Sequence, residues 1–204
     1  MSASTNSMAT GRRTGCVHRT TRETDVRVEL SLDGSGDRIS IETGIGMLDH
    51  LLTAFAAHAR FDLRIVAEGD LVVDDHHVAE DCAIALARAL AAALGDRDRI
   101  VRFGWAMIPL DESLSRVAVD LVSRPSATID LGLVRPMVGE LASENAVHFL
   151  ETLALTAPFT LHVKVLEGRN DHHRLESAFK SLAVAIRDAV RSTDRSISTK
   201  GTMK

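Results

Sequence analysis

A chain of 204 residues with 45% hydrophobic content is long enough for one or two domains with a sizeable core. Its net charge of −4, its 3% aromatic content and its lack of Tyr disfavour phosphate-neutralising surfaces and base-stacking platforms, so nucleic acid is not an expected partner. No apolar run approaches the ~20 residues of a membrane span, and residues 1–14 lack the apolar stretch of a secretion signal. A cytoplasmic protein without a membrane partner is expected.

Residues 1–14 read as a disordered N-terminal segment. Val26, Val28, Leu30 and Leu32 then alternate with polar residues, the period of a half-buried strand. Asp33-Gly34-Ser35-Gly36 turns the chain, and Ile39 and Ile41 read as the second strand of a hairpin. Gly44 and Gly46 end that strand. Leu48, Leu51, Leu52 and Phe55 mark one face of a helix carrying His50. Leu63 and Ile65 give a strand, Glu68-Gly69-Asp70 a turn, and the stretch from Val78 to Leu94 an alanine-rich helix capped by Gly95.

The second half repeats this order. Strands are expected around residues 102–108, 116–121 and 127–131, then a helix over residues 143–156 that carries His148 and stops at Pro158. Leu161, Val163 and Val165 alternate as a strand, Glu167-Gly168 turns, and His172 opens the last long helix. A repeat of roughly 95 residues is too long for a solenoid unit and reads as a duplicated small α+β domain. The expected organisation is a first repeat over residues 15–97, a second over residues 98–191, and a flexible tail over residues 192–204.

The chemistry sits in a twin motif. His76-His77-Val78-Ala79-Glu80 and His172-His173-Arg174-Leu175-Glu176 both read His-His-x-x-Glu at the start of a helix. The first His and the Glu stand at i and i+4, a spacing that lets one helical turn chelate one ion. One such pair is often only a solvated helix start; two copies, with His50 and His148 recurring upstream, point to metal. Imidazole and carboxylate together suit manganese, iron, cobalt or zinc. The second His of each pair lies about 100° around its helix and cannot easily serve the same ion. One partition is His76, Glu80, His148 and His173 around one ion, and His172, Glu176, His50 and His77 around the other. The spacing allows these groups to meet within one subunit or across an interface.

Other reactive residues read as structural. His162 alternates within a strand, His58 ends a helix and His18 lies in a basic stretch. Cys16 and Cys82 are too few for a disulfide framework, and Cys82 falls on a buried helix face.

From Arg19 to Gly201 the sequence resembles the imidazoleglycerol-phosphate dehydratase family. The resemblance is carried by Thr21-Arg22-Glu23-Thr24, Leu32-Asp33-Gly34-Ser35-Gly36, Leu48-Asp49-His50 and Asp74-Asp75-His76-His77 through Glu80-Asp81. It continues in Arg102-Phe103-Gly104, Pro109-Leu110-Asp111-Glu112, His148-Phe149, Gly168-Arg169-Asn170-Asp171-His172-His173 through Phe179-Lys180, and Ser198-Thr199-Lys200-Gly201.

The resemblance implies an α+β fold, a tandem duplication of a ribosomal-protein-S5-domain-2-like unit, each with a sheet covered on one face by two helices. It implies two Mn2+ per active site, or other first-row divalent ions, and a large homo-oligomer, a 24-mer with sites at subunit interfaces. The implied reaction is dehydration of imidazole glycerol phosphate to imidazole acetol phosphate in histidine biosynthesis. Metal coordination would favour an imidazolate ring, whose electrons expel the hydroxyl to give a diazafulvene-like intermediate.

By the same resemblance Glu23 is the first candidate for proton transfer, and Asp111 a weaker one that fits equally well as a turn residue beside Glu112. Arg102 and Arg124 are the bidentate phosphate candidates, Ser198 and Lys200 lie on the tail, and Lys180 is a further phosphate or diol candidate. The sequence departs from the family pattern at Ala54, Ile100, Val122-Ser123 and Ile197, which bears on the loops that aim the phosphate ligands. Two rivals stand beside this reading. A dinuclear hydrolase would need a hydrolytic nucleophile that nothing here marks, and a non-catalytic metal-binding oligomer, or a paralogue acting on a related imidazole phosphate, could keep all eight ligands.

Overall fold

The computed structural model describes residues 11–157 and 159–194. The first half forms β1 (Thr14–Thr20), β2 (Thr24–Ser31), β3 (Ile39–Glu42), α1 (Gly46–Ala59), β4 (Asp62–Gly69) and α2 (His76–Leu94). Its sheet has the order β1-β2-β4-β3. The second half forms β5 (Phe103–Leu110), β6 (Ser113–Asp120), β7 (Ser126–Asp130), a short β8 (Met137–Val138) and β9 (Leu141–Ala142) ribbon, α3 (Ser143–Thr156), β10 (Thr160–Glu167) and α4 (Asp171–Ala189). Its sheet runs β5-β6-β10-β7, the same order with each strand replaced by its counterpart. The fold is therefore a duplicated α+β unit, as the repeat predicts.

Two sequence expectations change. The stretch around His18 is a strand, β1, paired along its whole length with β2. The expected hairpin between the strands around Val28 and Ile41 does not form, because β3 pairs parallel to β4 and β2 takes β4 from the other side. The helix α1 makes the crossover between β3 and β4, and a parallel pair requires such a connection. The expected helix stop at Pro158, most of the N-terminal segment and most of the tail lie outside the described residues.

Helices α1 and α2 cover one face of the first sheet, and α3 and α4 cover the second. Between the sheets the helices pair across the duplication, α1 on α4 and α2 on α3. This pairing explains the alanines of α2. Ala79, Ala83, Ala85, Ala87, Ala89 and Ala93 are all buried, because the helix is pressed by its own sheet on one side and by α3 on the other. Alanine keeps helix propensity high while permitting that close approach. The edge strands need it too: a Cβ on Gly15 would overlap the Ala89 carbonyl, and one on Gly104 would overlap the Ala185 carbonyl. The two contacts occupy equivalent places in the two halves. Among the described residues no helix is long and apolar enough to cross a membrane.

Candidate metal centre

The cross-packing of helices assembles two clusters, each drawing on both halves. On α1 and α4, His50 Nε2 lies 3.1 Å and His172 Nε2 3.2 Å from Glu176 Oε2. On α2 and α3, His148 Nε2 lies 3.1 Å from Glu80 Oε1, and the His76 and His148 rings stack with centroids 4.9 Å apart. Each trio offers two imidazoles and one carboxylate, with one ligand atom per residue all within 4.8 Å of one another. His76 with Glu80, and His172 with Glu176, are the i and i+4 pairs anticipated from the motif.

Neighbouring groups orient the rings. Asn145 Oδ1 lies 2.9 Å from His76 Nδ1, and its amide donates to Asp75 Oδ1 at 2.8 Å. His76 Nδ1 thereby becomes the N–H donor and Nε2 is left available to ligate an ion, the arrangement common around bound metals. In the other cluster the Glu176 carboxylate is divided: Oε2 faces the histidines and Oε1 takes Lys180 Nζ at 2.7 Å. Burial opposes the Glu176 charge, but Lys180 and His50 outweigh it and hold the carboxyl down at about 2. It is thus an ionised candidate ligand across the physiological range.

His77 and His173 stand apart from both trios within the chain. His77 Nδ1 lies 3.0 Å from Asp70 Oδ2, and this partner raises its pKa, with Glu23 adding to the effect. His173 Nδ1 lies 2.7 Å from Glu112 Oε2, which raises its pKa as well. Glu112 is held at about 2, first by His173 and then by the backbone N–H groups of Asn170 and Arg169. In both second histidines a carboxylate occupies Nδ1. The partition that adds His173 to the first trio and His77 to the second is not brought together inside one subunit.

The proton-transfer candidates occupy equivalent hairpin tips. Glu23 is exposed between β1 and β2, and Asp111 lies between β5 and β6, largely exposed and 3.8 Å from His173 Nε2. The phosphate candidates lie elsewhere. Arg102 precedes β5, with a φ of 74°, and grips Asp120 through Nε at 2.6 Å and Nη2 at 2.9 Å. Arg124 is exposed before β7 and its carbonyl accepts from the Thr160 hydroxyl. Ile100 bridges Ser192, so the chain leaves α4 beside Arg102. Ser198 and Lys200 lie beyond that point, outside the described residues. Arg102 and Asp111 flank opposite ends of β5, roughly 25–30 Å apart at the rise of a strand. Lys180 instead sits against Glu176.

Sequence reasoning did not find Asp70, Asn145 and Glu112 as ring-orienting partners. Asn145 is distant in sequence from the His it orients, and only the α2–α3 packing joins them. Asp70 and Glu112 were visible as turn residues, which is also what they are.

Fold and site together define a duplicated α+β protein with two His-His-carboxylate clusters on cross-packed helices. The family model for imidazoleglycerol-phosphate dehydratase matches residues 43–186. A dehydratase of that name from Chlorobium phaeovibrioides is 47% identical over 184 residues, covering 90% of this chain and 92% of the relative. One from Methanosarcina barkeri is 47% identical and covers 94% of this chain and all of the relative. One from Phytophthora nicotianae is 56% identical over 89% of this chain, which spans 40% of that longer relative. The crystal structure of the enzyme from Pyrococcus furiosus, solved in complex with (S)-C348, superimposes with a TM-score of 0.79 at 39% identity, covering 91% of this chain and 99% of that one. The chain belongs to the imidazoleglycerol-phosphate dehydratase family, hydro-lyases of histidine biosynthesis.

Proposed function

We propose that this dehydratase removes water from imidazole glycerol phosphate with two divalent first-row ions per active site, manganese being the expected ion. The reading is carried by one observation: two equivalent trios of two imidazoles and a carboxylate, each closed by helices from opposite halves. Such mixed nitrogen and oxygen donors fit borderline divalent ions, and three ligands from one chain leave positions for a further ligand and for substrate. When bound, the ions would supply the Lewis acidity that draws the imidazole ring toward its imidazolate form. Expulsion of the hydroxyl would then be assisted by the ring's electrons. Glu23, exposed at its hairpin tip, moves the proton between carbon and oxygen, with Asp111 the alternative.

The site is shared between subunits. The trios and hairpin tips lie at one end of the sheets, and Arg102, Arg124 and the departure of the C-terminal segment lie at the other. A substrate of this size cannot span the roughly 25 Å between the ends of β5, so its phosphate ligands Arg102 and Arg124 come from a neighbouring copy, with Ser198 and Lys200, which lie outside the described residues, as further phosphate candidates. His77 and His173 complete their partners' trios in the same way. Exposed Phe103, Trp105 and Met107 on β5, and Val72 and Val73 before α2, supply apolar surface for such assembly. A 24-subunit cytoplasmic assembly fits this reading.

The test is a His76→Ala variant assayed for dehydration, bound metal and phosphate-ester hydrolysis. Loss of both turnover and full metal content is expected. A fully loaded variant with normal turnover refutes the ligand scheme, and ester hydrolysis by the native protein would favour a metallohydrolase.

A further inference from the structure

The hairpin that presents Glu23 is fastened in a way that leaves the glutamate itself unencumbered. Thr24 is 5% exposed, and its hydroxyl donates to the Asp81 carboxylate. Arg19, from β1, donates to the same carboxylate through Nε at 2.8 Å, with Nη2 also 2.8 Å away. Asp81 is equally buried and follows Glu80 directly on α2. At the tip, the Thr21 hydroxyl accepts from the backbone N–H of Glu23 at 3.1 Å and of Thr24 at 3.0 Å. A continuous chain of hydrogen bonds thus runs from the metal-ligand helix to the backbone of Glu23.

Glycine at position 69 permits this seat. A Cβ there would overlap the Val78 side chain and come within 3.1 Å of Thr24 Cγ2, pushing the hairpin away from α2.

The equivalent hairpin of the second half is held differently. Ser177 takes the place of Asp81, and its hydroxyl lies 3.0 Å from Ser113 Oγ and 2.5 Å from Ser115 Oγ, a neutral knot. There the acidic side chain at the tip does the anchoring itself: Glu112 accepts from Arg169 N–H at 3.1 Å and Asn170 N–H at 2.8 Å, and meets His173. The Glu23 carboxylate accepts no hydrogen bond among the described residues. Burying the Asp81 charge is costly unless its lone pairs are filled, and here Thr24 and Arg19 fill them. A buried network satisfied in this manner holds one geometry.

We propose that Asp81, acting through Thr24 and Arg19, is a positioning residue for Glu23: it ties the hairpin bearing the proton-transfer group to the helix bearing His76, His77 and Glu80. The inference rests on the reading of Glu23 as the group that moves the proton. Proton transfer needs heavy atoms within about 2.6–3.2 Å, so a hairpin released from α2 loses catalysis without losing substrate or metal.

The test compares Thr24→Val, Thr24→Ser, Arg19→Met, Glu23→Gln and the Thr24→Val/Glu23→Gln double variant, each as the manganese-loaded assembly, for kcat, KM and bound metal. Glu23→Gln is expected to lower kcat by roughly 10²- to 10⁴-fold. Thr24→Val should lower kcat by roughly 10- to 100-fold with KM and metal content unchanged. Thr24→Ser, which restores the hydroxyl, should recover most of that loss. In the Glu23→Gln background Thr24→Val should cost nothing further. Native kcat in Thr24→Val beside an inactive Glu23→Gln overturns the inference alone, as does a Thr24→Val loss that persists in the double variant or comes with lost metal. A fully active Glu23→Gln overturns the reading of Glu23 and the inference with it. If Thr24→Val fails to assemble, Arg19→Met must show the kcat-specific loss, and an unchanged kcat there overturns the proposal.

Discussion

His50 Nε2 on α1 lies 3.1 Å from Glu176 Oε2 on α4, although the two residues belong to opposite halves of the duplication. The corresponding pair, His148 on α3 and Glu80 on α2, stands at the same separation. Neither half can close a trio alone, so on the proposed metal reading capture of an ion and correct docking of the halves would be coupled.

Because the trios are separate, damage to one should spare the other. Glu176→Gln is expected to lose about half of the bound metal per chain, and Glu80→Gln the other half, since each removes the anionic ligand of one site. Metal analysis of the purified variants checks this. Full loading in either variant would show that the carboxylate is not a ligand.

The ligand helices were legible in the sequence because a 3.6-residue period and an i, i+4 pair are local facts. Strand β1 was not, since only Val17 gives it an apolar signal and its inward-facing Gly15 looks like a breaker. The false hairpin arose from a true turn signal at Asp33-Gly34; which strand Ile39 and Ile41 pair with is decided later, by the α1 crossover. The roughly 100° offset set His77 and His173 apart from their neighbours, and within the subunit both lie outside the two trios. The expectation that each could serve the other ion is not met inside one subunit, where His77 meets Asp70 and His173 meets Glu112.

The two strand glycines make a packing prediction. Gly15→Ala and Gly104→Ala each force a methyl group into a helix carbonyl, of Ala89 and Ala185 respectively. Each should destabilise the protein by about 1–3 kcal/mol, the usual range for overpacking a filled site. Thermal unfolding measures the effect, and unchanged melting would mean that the strands shift freely against the helices.

Asp171 carries a pH dependence. Burial raises its pKa, but the backbone N–H groups of Arg135 and Val134 and the charges of Arg174 and Arg135 outweigh that, leaving it below the ordinary value of 3.8. A depressed folded-state pKa gives stability that is present above the unfolded pKa and lost as pH falls through the folded one. Asp171→Asn should therefore melt lower than the native protein near neutrality, and the difference should shrink below about pH 4. A difference that stays constant across that range would assign the effect to packing rather than charge.

Cys82 is buried on α2, and burial, aided by Asp49 and Asp81, pushes its thiol up to about 12. The thiolate is the reactive form, so a thiol reagent should titrate no more than one of the two cysteines in the native protein and both after denaturation. Rapid labelling of Cys82 in the native state would contradict the packing of α2.

In the proposed scheme eight ligands per chain hold two catalytic ions. Its most direct test is dehydration of imidazole glycerol phosphate by chelator-stripped protein titrated with Mn2+. Activity should be absent at the start and return in step with binding, reaching its plateau at two ions per chain. Full turnover by the stripped protein, or no dehydration once two ions are bound, would contradict it.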